Sequence, residues 1–242
     1  MKLEGRVALV TGAGRRVGQA IALALGERGM RVAAHYHESA AGAEETGTRI
    51  RDSGGFAQTF RADLRRVQAC ESLIEEVGTA FGGLDVLINS AAVMLRTPIG
   101  SVTQAQWDDM FAINLRAPFF CAQAAAGMLG RNGGSVVNIA DLAGLESWPA
   151  YVPHGISKAG VIQMTRSLAR ALAPTVRVNA VAPGAVLLPE DFSDEERARL
   201  ERTTPLARIG TPQDVALAVV YLLDADYVTG ETLVVDGGRL VR

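Results

Sequence analysis

The segment Arg6–Gly18, RVALVTGAGRRVG, carries the clearest chemistry in this chain. Val7–Val10 is a continuous apolar run, the pattern of a strand buried on both faces of a parallel sheet. Thr11-Gly12-Ala13-Gly14 then turns. From Arg15 onward the spacing of Val17, Ile21 and Leu25, beside Ala20 and Ala24, is helical. A glycine-rich turn between a buried strand and a helix leaves backbone N–H groups pointing outward, at the positive end of the helix dipole. That is an anion site, and a dinucleotide pyrophosphate suits it. The spacing Gly12-x-Gly14-x-x-x-Gly18 differs from the common G-x-G-x-x-G, and no Gly-Lys-Ser/Thr follows to make a nucleoside-triphosphate loop. The same glycines would also serve a turn built for close packing alone. Arg15 and Arg16 favour the phosphate reading, because two guanidiniums in such a turn serve chiefly phosphate.

Positioning that turn requires a scaffold, and the rest of the chain supplies one. With 242 residues, 48% hydrophobic and only 5% aromatic, the chain reads as one α/β domain over 1–242 with a substantial core. The formal net charge of −2 implies no polyanionic partner, which argues against nucleic acid and anionic membranes. No leader and no long apolar run is present, so a cytoplasmic location is expected. Cys70 and Cys121 have no metal-ligand spacing and read as reduced, buried spacers; no metal is expected.

Strand patterns fall at Val7–Val10, Arg31–Tyr36, Phe56–Arg61, Leu84–Ile88, Ser135–Ile139, Val176–Val181 and Leu233–Val235. Helical patterns lie between them: Ala40–Ile50, Arg66–Phe81, one long helix Thr103–Met128, and a helix from about Ser157 to Leu172. Ser193-Asp194-Glu195-Glu196 and Thr211-Pro212-Gln213-Asp214 each open a further helix, with a hydroxyl cap and acids in the first turn. Alternation of this kind predicts a Rossmann-type doubly wound domain: a seven-stranded parallel sheet with helices on both faces. Ligands bind beyond the carboxyl ends of such strands. By position this selects Thr11–Gly18, Tyr36–Ser39, Asp63, Asn89–Ala92, Ala140–Asp141 and Pro183–Val186.

In the common NAD arrangement, an acid after the second strand holds the ribose 2′-hydroxyl. Here Tyr36 stands at that position, so a 2′-phosphate is not repelled. Arg16, His37 and Ser39 can receive it by charge and hydrogen bond. NADP(H) is therefore favoured over NAD(H), with Glu38 as the opposing feature. His37 reads equally as a loop histidine. Asp63 reads either as an acceptor for an adenine amino group or as an N-cap for the following helix.

These motifs together resemble the short-chain dehydrogenase/reductase family over the whole length. The matches are Thr11-Gly12…Gly18, Asp63-Leu64, Asn89-Ser90-Ala91, Asn114, Asn138-Ile139, Ser157-Lys158, Val178-Asn179, Pro183-Gly184 and Val228-Thr229-Gly230…Val235-Asp236-Gly237-Gly238. The chain is most similar to the pteridine reductase branch. Arg16 replaces the middle glycine of the turn, His35–Ser39 reads His-Tyr-His-x-Ser, and Asp141 stands where most members use the catalytic Ser. The resemblance implies that Gly12, Gly14, Arg15, Arg16, Val17, Gly18, Tyr36, His37, Ser39, Asp63, Leu64, Asn89, Ser90, Ala91, Pro183, Gly184 and Val186 hold the cofactor. It further implies that Lys158 binds the nicotinamide ribose, and that Asn114 holds a helix bend and a proton-relaying water. A homotetramer built through the helices Thr103–Met128 and Ser157–Leu172 and the C-terminal segment is also implied. So is a lid formed by the helix after Ser193.

Two positions depart from the branch. His154 stands four residues before Lys158, where the active tyrosine belongs, and Tyr151 lies one helical turn earlier. Met94 stands where an aromatic ring is expected against a flat pterin; it offers a soft apolar floor without stacking. Nicotinamide reduction needs a hydride donor held against the substrate and a proton for the atom that becomes negative. A histidine titrating near pH ~6.5 can supply that proton. Lys158 lowers its value and Asp141 raises it, so the three titrate as a coupled set. Asp141 or Tyr151 can instead donate, with His154 as relay or orienter. Alternatively, His154 only fills the space of a tyrosine, and the protein is a cofactor-binding sensor or scaffold. A neutral His154 acting as general base would run the oxidative direction. Trp107 reads as packing for the long helix, whereas Trp148, between Asp141 and His154, can border the substrate.

Overall fold

The computed structural model describes residues 1–186 and 192–241. Its seven strands are β1 Val7–Val10, β2 Arg31–Tyr36, β3 Phe56–Arg61, β4 Val86–Asn89, β5 Ser135–Ile139, β6 Arg177–Pro183 and β7 Thr232–Val235. They form one sheet in the order β3-β2-β1-β4-β5-β6-β7, and every pairing is parallel. The eight α-helices are α1 Arg16–Glu27, α2 Ala40–Asp52, α3 Val67–Phe81, α4 Gln104–Phe111, α5 Ala117–Leu129, α6 Val152–Leu172, α7 Asp194–Thr203 and α8 Pro212–Asp224.

Successive side chains of a strand point to opposite faces, and the two cores follow that alternation. Ala8 and Val10 of β1 pack with Ile21 and Leu25 of α1 and Val215, Val219 and Leu222 of α8. Val7 and Leu9 pack the other way, with Leu73, Ile74 and Val77 of α3 and Cys121, Ala125 and Leu129 of α5. Both faces are covered, which is why the strands read as unbroken apolar runs. The sheet runs outward from β1 in one direction and from β4 in the other. This reversal opens the crevice in which a ligand of such a fold sits.

Three of the differences from the sequence expectation have a clear local cause. The helix expected over Thr103–Met128 is α4 and α5 joined by a π-helical segment, Ala112–Arg116. Asn114 lies in that segment, and the hydrogen bonds it makes hold the irregular turn in place. The sixth helix begins at Val152 rather than near Ser157, because Pro153 suits a first helical turn. That start places His154 and Lys158 on one helix, a turn apart. The fourth strand begins at Val86 rather than Leu84, since Asp85 is occupied as a side-chain acceptor for Val7 N–H (2.9 Å) and Arg6 (3.0 Å). The capping boxes at Ser193/Glu196 and Thr211/Asp214 form as their sequences predict. Cys70 and Cys121 are free and buried. Among the described residues, no helix is long and apolar enough to cross a membrane.

Candidate active site

The first turn lies where β1 ends. Gly12 has φ +70, and a Cβ on it would lie 2.9 Å from Ala91 Cα. A Cβ on Gly18 would lie 2.2 Å from the Gly12 carbonyl oxygen. Both glycines are therefore required by the backbone itself. Thr11 Oγ1 accepts the N–H groups of Ser90 (2.9 Å) and Ala91 (3.1 Å), which ties the loop after β4 to this turn. No side chain caps the start of α1, so its leading N–H groups remain for an anion. Arg16 stands at φ +56, a conformation that favours glycine, with its side chain exposed.

One expectation needs correction. The Gly12 and Ala13 amides do not point outward. Gly12 N–H donates to His35 Nδ1 (3.2 Å) and Ala13 N–H to the His35 carbonyl (2.9 Å). The anion cradle thus begins after Ala13. His35 itself is 2% exposed and bridges the turn to the end of β3, where its Nε2 faces the Ala62 carbonyl at 3.1 Å. Accepting at Nδ1 puts the proton on Nε2. Burial pushes its pKa down to about 4, against a favourable bond to Ala62. Sequence reading treated His35 only as part of a motif. Its place at the end of β2, opposite the turn, was the available signal.

Tyr36 ends β2, and His37 and Ser39 follow it. Ser39 Oγ donates to the Gly14 carbonyl at 3.4 Å. His37 sits among charges: Glu38 is 3.6 Å from Nδ1, Asp63 is 4.0 Å from Nε2, and Arg65 Nη1 is 3.5 Å from Nδ1. Arg65, which the sequence did not single out, also holds Asp63 (3.3 Å) and pairs closely with Asp109. Asp63 does not cap α3; Arg66 is the N-cap residue and gives no side-chain bond. A cap must sit immediately before the first helical residue, and Asp63 lies too far back. Instead its Oδ1 accepts the Arg65 N–H at 3.1 Å in a local turn. These bonds and the nearby cations hold its carboxyl below the ordinary range, against a desolvation that acts the other way. Leu64 and Asn89 turn their side chains into the core. Leu64 is 4% exposed, and Asn89 donates to Asn138 Oδ1 at 2.8 Å. Either can meet a cofactor only through its backbone.

The second half of the site is built by β5, α6 and the π segment. Asn114 clasps Val93 on both sides: Oδ1 accepts Val93 N–H (2.8 Å) and Nδ2 donates to the Val93 carbonyl (2.9 Å). The same Nδ2 donates to Ser157 Oγ (3.1 Å) and lies 3.5 Å from His154 Nδ1. Lys158 is buried, and its Nζ donates to the Ile139 carbonyl at 2.7 Å. Burial lowers its pKa to about 8, with the Asp141 carboxylate opposing that shift. Asp141, past the end of β5, accepts the Ala143 N–H at 2.8 Å and caps the short 3₁₀ turn Leu142–Gly144. His154 Nε2 is 3.6 Å from Asp141 Oδ2.

Asn114, Asp141, His154 and Lys158 thus lie together beyond β5. Tyr151 does not join them through a hydrogen bond. It is the N-cap residue of α6, and its ring meets Trp148 edge-on at 6.2 Å. Trp148 donates to Glu146 (3.1 Å) in the loop that follows Asp141. Thr97 N–H bonds the Ala150 carbonyl at 2.8 Å, so the Met94 loop and the Trp148 loop are neighbours. Met94 is 48% exposed on that rim. Pro183 closes β6, and Gly184 N–H bonds Val235 at 2.9 Å with Val186 beyond it. Trp107 stacks on Phe111 (4.4 Å), the packing role expected of it.

Residues 12–239 match a family model described as Enoyl-(Acyl carrier protein) reductase. The chain is 37% identical over 237 residues to 3-oxoacyl-[acyl-carrier-protein] reductase FabG of Staphylococcus aureus, covering 96% of each chain. It is 36% identical over 245 residues to 3beta-hydroxysteroid dehydrogenase 1 of Eggerthella lenta, covering 98% of this chain and 94% of that one. Among solved structures, a blue fluorescent protein from a metagenomic library in complex with NADPH superposes with a TM-score of 0.92 at 31% identity, covering 99% of both chains.

Proposed function

The chain belongs to the short-chain dehydrogenase/reductase family of oxidoreductases, and on that premise we propose that it is an NADP(H)-dependent reductase of a small carbonyl or imine, pterin-like compounds included. The observation that carries the reading is the convergence of Asn114, Asp141, His154 and Lys158 at the carboxyl ends of β4 and β5, on the same rim of the sheet as the Thr11–Gly18 turn. The uncapped start of α1 and the close-approach glycines fit a pyrophosphate. Arg15 and Arg16 would hold phosphate, Ser39 and His37 the adenosine ribose side, and Lys158 the nicotinamide ribose. A bound reduced nicotinamide supplies a hydride.

Several features support NADP(H) over NAD(H). Tyr36 replaces an acid at the end of β2, Arg16 is exposed at the start of α1, and one solved relative is in complex with NADPH. Glu38 and Asp63 oppose the preference, and Arg65 offsets them. Met94 and Leu95 after β4, and Leu145 after β5, leave partly exposed apolar surface beyond the carboxyl ends of these strands. An apolar ketone suits it, and a flat pterin would rest on Met94 without ring stacking.

A second reading has one observation in its favour: His154 is only 2% exposed, and its Nε2 has no solvent contact. A protein that binds NADPH but turns nothing over would present the same site. NADPH oxidation by the wild type and His154→Tyr, with dihydropterins and small ketones, separates the two. Turnover by the wild type supports the reductase. Turnover by the tyrosine variant alone supports the binding protein. No NADPH binding by either overturns the cofactor assignment.

A homotetramer is part of this proposal. Between α4, α5 and α6 runs a groove of about 820 Å³, away from the site, lined by Phe111, Leu115, Phe119 and Met164. A second copy of the chain would bury it. The free, buried thiols Cys70 and Cys121 suit a reducing, cytoplasmic compartment.

A further inference from the structure

His154 is held between two partners that are not equivalent. Its Nδ1 faces Asn114 Nδ2 at 3.5 Å, and its Nε2 faces Asp141 Oδ2 at 3.6 Å. The Asn114 amide cannot turn over. Its oxygen already accepts Val93 N–H, and its nitrogen already donates to the Val93 carbonyl and to Ser157. Both amide hydrogens are spent on those two bonds, and an amide nitrogen is no acceptor. An Nδ1–H would therefore have nothing to donate to, so Nδ1 is the unprotonated nitrogen. That leaves the proton on Nε2, aimed at the carboxylate. An imidazolium would carry a second N–H against the Asn114 NH₂ group, so this surrounding disfavours it. The charged groups around the ring are Asp141, from the end of β5, and Lys158, one turn along α6.

Accessibility separates the two side chains. His154 Nε2 is buried and makes no completed hydrogen bond, whereas the Asp141 side chain is 23% exposed. The Nε2–Oδ2 gap exceeds an ordinary N–H···O bond by only about 0.6 Å. A small rotation of the partly exposed carboxylate closes it.

We propose that Asp141 is the group that exchanges the proton with substrate, and that His154 is a positioning residue, fixed by Asn114 as the neutral Nε2–H tautomer. The proposal rests on the reductase reading above. In reduction, the Asp141 carboxylate first takes a proton from water at its exposed edge; that carboxyl O–H then breaks as a new O–H bond forms on the carbonyl oxygen of the substrate. The electron pair on carbon arrives as the hydride of the reduced nicotinamide. The carboxylate that remains is held by the Ala143 N–H and by His154 Nε2–H, and water at its exposed edge restores the proton. His154 stays neutral throughout. Oxidation of an alcohol is the reverse, with the Asp141 carboxylate as base.

The test is a long-range ¹H–¹⁵N spectrum of [¹⁵N]histidine-labelled protein at pH 7, with and without NADPH. His154 is assigned by its absence in His154→Gln. The proposal expects a neutral ring with protonated Nε2 and unprotonated Nδ1, and a shift of the Nε2 signals in Asp141→Asn. An imidazolium, an Nδ1–H tautomer, or indifference to Asp141→Asn overturns it, whether or not any substrate is turned over. NADPH fluorescence on the same samples reports separately on the cofactor reading. Where cyclohexanone or a dihydropterin is reduced, His154→Gln keeps a side-chain N–H toward Asp141 and should retain activity within about fivefold. His154→Phe should lose more than about thirtyfold. Equal losses in the two variants would make His154 itself the acid and overturn the assignment.

Discussion

His35 Nδ1 accepts the Gly12 N–H at 3.2 Å, so a buried imidazole at the end of β2 sets the backbone of the glycine-rich turn after β1. The bond requires Nδ1 to be unprotonated, and burial keeps the folded-state pKa at about 4 against 6.5 for a free histidine. Because the folded value is the lower one, the unfolded chain binds the extra proton first as pH falls. Stability is constant above pH 6.5 and is lost from there down to about pH 4. The loss by pH 4.5 is about 2–3 kcal/mol. Urea unfolding at pH 7 and pH 4.5 should give that difference between wild type and His35→Gln. An equal acid dependence in both proteins would remove His35 as its source.

Arg16 carries charge at a backbone position that favours glycine. Arg16→Gly should weaken NADPH binding about tenfold or more, by loss of a charge-assisted contact to the 2′-phosphate, and leave NADH nearly unchanged. Fold stability should not fall, since relief of positive-φ strain offsets the added freedom of the unfolded chain. Fluorescence titration with both nucleotides reads the first effect, and thermal unfolding the second. An equal loss for NADPH and NADH would place Arg16 on the pyrophosphate instead.

Asn114 replaces a strand partner for Val93. Asn114→Ala removes both bonds and leaves the Val93 N–H and carbonyl unsatisfied beside a π segment. We expect a loss of about 2–4 kcal/mol in denaturant unfolding. Asn114→Asp keeps the acceptor for Val93 N–H and loses the donors, so it should fall between wild type and alanine on neutral buffer.

At the start of α8, Asp214 Oδ2 accepts the Thr211 N–H (2.7 Å), and its two oxygens receive Arg208 in a fork (2.8 Å each). The Arg208 guanidinium holds the Asp214 carboxyl far below the usual carboxylate range. Asp214→Ala should cost about 1–2 kcal/mol with no change in NADPH affinity. A change in affinity without a change in stability would tie this helix start to the site.

The sequence alone determined the scaffold, because a strand covered on both faces must be apolar throughout. That is visible in Val7–Val10 and Ser135–Ile139 without a structure. The helix starts at Ser193 and Thr211 were legible for a similar local reason: a cap and its partner lie within one turn. Local chemistry also flagged Arg16 and Tyr36, position past β5 flagged Asp141, and the family resemblance pointed to His154 and Lys158. What only the tertiary structure decided are relations between distant residues. His35 of β2 meets Gly12 after β1, Arg65 of the loop before α3 meets Asp109 of α4, and Asn114 meets Val93 from a π segment that no spacing announces. The same holds for the tautomer of His154. A ring nitrogen takes its proton according to the donor or acceptor it faces, and Asn114 lies forty residues away in the chain.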